Sequence, residues 1–192
     1  GLRAVSDHAH AKGAKIILWF EPERVGDKDS WLARNYPEWL LTGPDAGNLL
    51  LNLGDPEALT WLIEHVDRTI REQGVDLYRQ DFNMAPLDYW RKNDAPDRQG
   101  MTENLYVQGY LKYWDALRAR NPNLVIDSCA SGGRRDDLET MRRAVPLIRS
   151  DCLFEPTSQQ AHHFGFASWL PYHGAGYVTG GSSIGGTGTD NI

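Results

Sequence analysis

The sequence predicts an α/β fold of the (β/α)8 barrel type, with this chain covering part of the barrel. Three observations carry that expectation. Short apolar runs typical of buried parallel strands alternate with segments of helical pattern. The runs end on acidic or polar side chains, and barrels gather their chemistry at the C-terminal ends of their strands. No G-x-G-x-x-G follows any strand, which separates a barrel from a dinucleotide-binding doubly wound sheet.

Taken in order, the chain opens on "GLRAVSDHAHAKG", already helical in pattern and without an initiator Met, so the natural start is expected further upstream. The first strand is "KIILWF" at 15–20, leading to Glu21 and Glu23. A helix follows in "GDPEALTWLIEHVDRTIREQG". Asp55 is its N-cap, Pro56 suits its first position, and Gly74 stops it. Leu59, Leu62, Ile63, Val66 and Ile70 give it one apolar face. The second strand is "VDLYRQDF" at 75–82, and a helix over 102–120 repeats the pattern through Leu105, Leu111, Trp114 and Leu117. Within it, "ENLYVQG" (103–109) resembles a protease-cleavage tag, yet its spacing fits the helix and it reads as native. A third strand, "NLVIDSC" (123–129), precedes a short helix from Asp136 to about Ala144. A fourth, "PLIRSD" (146–151), precedes a helix from Ser158 to Leu170, with a weaker fifth at "GYVTG" (176–180). Residues 1–180 therefore read as one part of a barrel, and 181–192 as a Gly/Ser/Thr-rich flexible tail.

Composition narrows the functions. A chain of 192 residues with 41% hydrophobic and 24% charged residues is ordinary for a globular domain. A net charge of −6 without a basic stripe argues against nucleic acid as a partner. No apolar stretch approaches the ~20 residues of a membrane span. Cys129 and Cys152 form neither a disulfide framework nor a zinc spacing. They are expected as free thiols, which favours a reducing, cytoplasmic compartment.

The stretch "LYRQDFN" (77–83) poses the chemical question. Leu77, Arg79, Asp81 and Asn83 share one strand face, and charges are seldom buried without a partner. Asp81 and Asn83 end one strand, Glu21 and Glu23 another, Cys129 and a glycine turn a third, and Asp151 a fourth. For Glu23, Asp136 and Asp137 alone, helix capping or a solvated loop charge is an equal reading. Acidic residues at three strand ends point further, because paired carboxylates at a barrel mouth are the equipment of glycoside hydrolysis.

"LWFEPE", "YRQDFN", "CASGGRRDD" and "RSD", in that order, resemble the α-galactosidase (melibiase) group of glycoside hydrolase family 36 and the related family 27. The resemblance runs from Lys15 to Asp151, with "FEPTSQQAHH" following as in some bacterial members. It implies a (β/α)8 barrel that hydrolyses terminal α-galactosides with retention of configuration and without a cofactor or metal. It further implies Asp81 as the nucleophile and Asp151 as the general acid/base. Arg79 stands where the family has a sugar-binding Lys, and Asn83 ends the same motif. Cys129 and Gly132 match a C-x-x-G element, Arg135 and Asp137 its trailing R-x-D, and Trp19 and Glu21 an element near the sugar subsite. The family's first two strands would precede Gly1.

Departures bear on specificity. Arg79 replaces Lys, Gln80 replaces Trp, Phe82 replaces Met, and Arg134 interrupts the glycine run. Arginine is a planar fork where lysine is a point charge. The sugar is therefore an α-galactoside or a close neighbour such as α-N-acetylgalactosamine or β-L-arabinopyranose. Arg79 would hold Asp81 ionised, since an adjacent cation favours the carboxylate. Arg149 would do the same to Asp151, against the needs of an acid, unless it is paired elsewhere or repulsion from Asp81 outweighs it.

Two rivals remain. One is a non-catalytic carbohydrate-binding or assembly module on a degenerate or truncated barrel, whose open sheet edges would also favour homo-oligomers. The other is a metal-dependent hydrolase using Glu21, Asp81 and His162 or His163, although adjacent histidines on a helix point apart.

Overall fold

The computed structural model describes residues 1–45, 47–148, 150–151 and 156–169. Arg149, Cys152, the fifth strand expected at 176–180 and the tail at 181–192 lie outside the described residues. The chain forms two compact units, Gly1–Val125 and Ile126–Ile192.

In the first unit α1 (Leu2–Ala11) leads into β1 (Ile17–Phe20). Next come β2 (Arg24–Val25), α2 (Trp31–Asn35), a 3-10 turn, β3 (Leu40–Thr42) and β4 (Leu49–Leu51). Then α3 (Pro56–Gln73) returns the chain to β5 (Leu77–Gln80), followed by α4 (Leu87–Asn93) and α5 (Met101–Arg120). β1 and β5 pair in parallel with Ile17 opposite Leu77 and Trp19 opposite Arg79. β2, β4 and β3 form a small antiparallel sheet inserted between β1 and α3, an excursion that "short apolar run" reasoning did not anticipate.

The helix of the βαβ unit is bounded as its sequence dictates. The Asp55 carboxylate accepts from Glu57 N at 2.8 Å and Ala58 N at 3.0 Å, and Gly74 ends α3 at φ +67°. Its inward stripe is Ala58, Leu62, Val66 and Ile70. α5 has the expected span, and of its expected face Trp114 and Leu117 are buried, joined by residues that the pattern did not name. Tyr106, Gly109, Tyr110, Tyr113, Trp114 and Leu117 are buried, whereas Leu105 is exposed. Tyrosine fills this face because its hydroxyl finds partners inside the unit, as described below. Gly109 lets α5 lie directly on the loop before α3. A Cβ there would sit 1.8 Å from the Leu53 carbonyl oxygen.

The alternation along β5 divides the pair into two unlike faces. Tyr78, Gln80 and Phe82 are buried, while Leu77, Arg79 and Asp81 are half-buried. On β1 the face in register with the second set carries Ile17 and Trp19, both exposed. One face thus packs within the unit, and the other, which bears the reactive side chains, is open.

The second unit takes in β6 (Val125–Ser128) from Ile126 onward, then α6 (Leu138–Met141) and α7 (Pro156–Ala167). The strand expected at 146–151 does not form among the described residues. Val145 makes a single parallel bridge to Asp127, with Ser128 N donating to Val145 O and Val145 N to Ile126 O. Leu147 N, the next amide due to face β6, donates instead to the buried Asp127 carboxylate at 2.8 Å. The ladder therefore stops after one rung. Asp137 is a cap: it receives Thr140 N at 3.0 Å and starts α6.

Candidate active site

The site in the first unit is built where β1 and β5 end side by side. Asp81 N donates to Phe20 O at 2.8 Å, which carries the pairing one residue beyond the regular strands. The Asp81 carboxylate accepts from Phe82 N at 2.7 Å through Oδ1 and from the Trp19 indole at 3.2 Å through Oδ2. Hydrogen bonds to the charged form favour it. The residue thus carries a carboxylate held by two donors at the end of an open strand face.

Glu21 and Arg24 complete this end. The side chain of Glu21 is 6% exposed and forms an ion pair with Arg24. Its other oxygen accepts from Asn83 N at 2.6 Å. That bond from Glu21 raises the Arg24 guanidinium above its ordinary value, against the effect of burial, with further contributions from the charges of Glu21 and Asp81. Arg24 thus lies within electrostatic reach of Asp81. Sequence reasoning did not single out Arg24, although its position three residues after Glu21 was a signal. Arg79 sits half-buried opposite Trp19 on the same face as Asp81.

Glu23 is neither a helix cap nor a solvated charge. It is fully buried, accepting from Gln80 Nε2 at 2.8 Å and from Tyr106 OH at 2.6 Å.

In the second unit Cys129 is a buried free thiol, and the turn after it is unusual. Ala130, Ser131 and Gly132 all have positive φ, at 62°, 53° and 92°. Only glycine adopts such values without strain, and runs of strained residues gather at functional sites. Gly132 lies flush against Asp151, where a Cβ would meet Asp151 N at 3.1 Å and its carboxyl carbon at 3.4 Å. The turn is closed by Arg134, whose guanidinium donates to Ala130 O at 3.3 Å and Ser131 Oγ at 3.2 Å. Arg135 is half-buried just after it. His162 Nδ1 shares a 2.8 Å hydrogen bond with Ser150 Oγ. Among the described residues, no three His, Cys, Asp or Glu side chains are grouped so as to hold a metal ion. No helix among them is long and apolar enough to cross a membrane.

β1, α3 and β5 form a βαβ unit of the kind that (β/α) barrels repeat, and the comparisons with known proteins identify the family. The melibiase family model matches residues 1–172, and the chain belongs to that family. It is 31% identical over 157 residues to an α-galactosidase of Escherichia coli, covering 79% of this chain and 21% of that protein. It is 28% identical over 144 residues to the α-galactosidase Mel36A of Lactobacillus acidophilus, covering 72% of this chain and 20% of that protein. The crystal structure of the α-galactosidase from Lactobacillus brevis superposes with a TM-score of 0.76 at 28% identity, over 87% of this chain and 23% of that one. The chain thus spans about one-fifth of the length of these curated relatives.

Proposed function

We propose that the protein is a retaining glycoside hydrolase acting on terminal α-galactosides or closely related sugars, with Asp81 as nucleophile and Asp151 as general acid/base. The observation that carries this reading is the carboxylate of Asp81, held by Trp19 Nε1 and Phe82 N at the end of β5. The family and its α-galactosidase relatives support the substrate class.

Asp81 attacks the anomeric carbon and forms a glycosyl ester as the bond to the leaving oxygen breaks. The two hydrogen bonds on its carboxylate restrict its rotation, so less reorganisation is needed at attack. Asp151 protonates the departing oxygen, then takes a proton from the water that opens the ester. Trp19, Glu21, Arg79, Asn83, Cys129, Gly132 and Arg135 form the sugar's surroundings. Arg79 offers a planar pair of donors where a lysine would offer a point charge, so its contacts decide which hydroxyl pattern is accepted.

The test is hydrolysis of a panel of aryl α- and β-glycosides by the complete protein. Turnover of aryl α-galactoside, α-N-acetylgalactosaminide or β-L-arabinopyranoside supports the reading. Saturable sugar binding without turnover of any member would leave a carbohydrate-binding module instead.

A further inference from the structure

Behind Asp81, on the buried face of β5, six side chains form a polar network whose hydrogen-bond directions can be assigned. Trp114 Nε1 lies 2.7 Å from one terminal atom of the Gln80 amide. An indole N–H can only donate, so that atom is the oxygen. The amide nitrogen therefore faces Glu23 at 2.8 Å, and Glu23 accepts. Tyr78 OH spends its single proton on the same Gln80 oxygen at 2.8 Å, so Tyr113, 2.7 Å away, donates to Tyr78. Tyr106 donates to the second oxygen of Glu23 at 2.6 Å. Each of these five bonds points toward Glu23, which accepts on both of its oxygens. Burial first, then the partner hydroxyl and the charge of Glu23, lifts Tyr78 far above the ordinary range, so its hydroxyl stays protonated.

Glu23 reaches the strand immediately before Asp81, and Glu21, two residues earlier, reaches the chain immediately after it. The segment 19–23 therefore holds 80–83 at four points: the Trp19 indole on the Asp81 carboxylate, Phe20 O on Asp81 N, Glu21 on Asn83 N, and Glu23 on Gln80. The Trp19 and Phe20 grips act from the open face and the backbone ladder, whereas that of Glu23 acts from the buried face.

We propose that Glu23 is a positioning residue for the nucleophile, acting through Gln80 to hold the end of β5 from behind. The inference rests on the hydrolase reading, in which Asp81 attacks the sugar. Gln80 stands where the resembled family has tryptophan, so the amide that receives this chain of bonds is a feature of this sequence.

The experiment compares Glu23→Gln with Tyr113→Phe in the complete protein. Tyr113→Phe removes a donor from the far end of the same network and serves as the control for lost stability. Glu23→Gln should lower kcat about tenfold to a hundredfold with little change in KM, because small misplacements of a reacting group cost that much. Tyr113→Phe should lower the melting temperature but leave kcat near the parent value. Amide hydrogen exchange gives a readout independent of turnover. Protection at Asp81 N and Asn83 N should fall about tenfold in Glu23→Gln and not in Tyr113→Phe. If Glu23→Gln does not fold, Tyr106→Phe removes one donor to the same carboxylate and should show the same pattern at smaller size. Unchanged protection at 81 and 83, or an equal kcat loss in Tyr113→Phe, overturns the proposal. A parent that hydrolyses no glycoside would defeat the hydrolase reading, and the exchange comparison would still decide this one.

Discussion

Asp81 and Asp151 play different parts in the proposed reaction, and substitution separates them. Asp81→Gly removes the atom that forms the glycosyl ester, so turnover should fall for every substrate whatever its leaving group. Asp151→Ala removes protonation of the leaving oxygen, which an activated aryl group scarcely needs. That variant should still be glycosylated by activated aryl glycosides, and azide should partly restore turnover with the substrate's anomeric configuration. Steady-state rates across leaving groups, with and without azide, check this; the reverse pattern would exchange the two roles. Gly132 offers a second test at the same scale. Its φ of +92° is strained for alanine, and a methyl group 3.1 Å from Asp151 N would press that residue back by a few tenths of an ångström. Gly132→Ala should cost about 1–3 kcal/mol of stability and displace Asp151, lowering kcat by an order of magnitude or more. Thermal unfolding and kcat measured together are the check.

Among the elements, the entry into β1 is held by Asp76, whose carboxylate accepts from Ile16 N at 2.7 Å and pairs with His10 at 2.8 Å. Burial pushes this carboxyl upward, but the Ile16 amide, His10 and Lys15 together outweigh it and hold it below its ordinary value. A carboxyl depressed in the folded state contributes stability that is present above its unfolded value, near pH ~4, and lost as pH falls through the folded value. Asp76→Asn should therefore destabilise the protein at pH ~7, and the difference should shrink as pH falls below ~4, the unfolded value. Denaturant unfolding above and below that value measures it. The contact between α5 and the Leu53 loop gives a sharper steric test. Gly109→Ala would place a methyl group 1.8 Å from a carbonyl oxygen, so α5 must shift. A loss of about 1–3 kcal/mol is expected despite alanine's better helix propensity. A stabilised variant would show that the contact is not formed.

At the scale of the whole molecule, the open face of the β1–β5 pair carries Ile17 and Trp19 exposed beside Arg79 and Asp81. In a (β/α)8 barrel that face is the lumen, closed by strands from the rest of the barrel. The stereochemistry of the complete protein tests the assembled site. If Asp81 attacks directly, the two carboxyl groups stand roughly 5 to 5.5 Å apart and the first-formed product keeps the substrate's anomeric configuration. Proton NMR of the early product on an aryl α-galactoside should show the α-anomer first. An initial β-anomer would require an inverting pair with room for water between them.

The sequence by itself determined the features that depend on neighbours along the chain. Asp55, Pro56 and Gly74 bound α3 because caps act within one turn, and the period of Leu62, Val66 and Ile70 names its inward stripe. Four ordered motifs were enough to name the family, and the two-residue period put Arg79 and Asp81 on one face. Partners far apart in the chain were decided only by the tertiary structure. Gln80 lies 57 positions from Glu23, and Tyr106 lies 83 from it, so no spacing rule could show that this carboxylate is buried and held. The tyrosine face of α5 was missed for the same reason: a tyrosine belongs in a core only when a partner for its hydroxyl is already there. The ladder ends at Val145 because the Asp127 side chain takes the Leu147 amide, a partnership that exists only once β6 lies beside that segment.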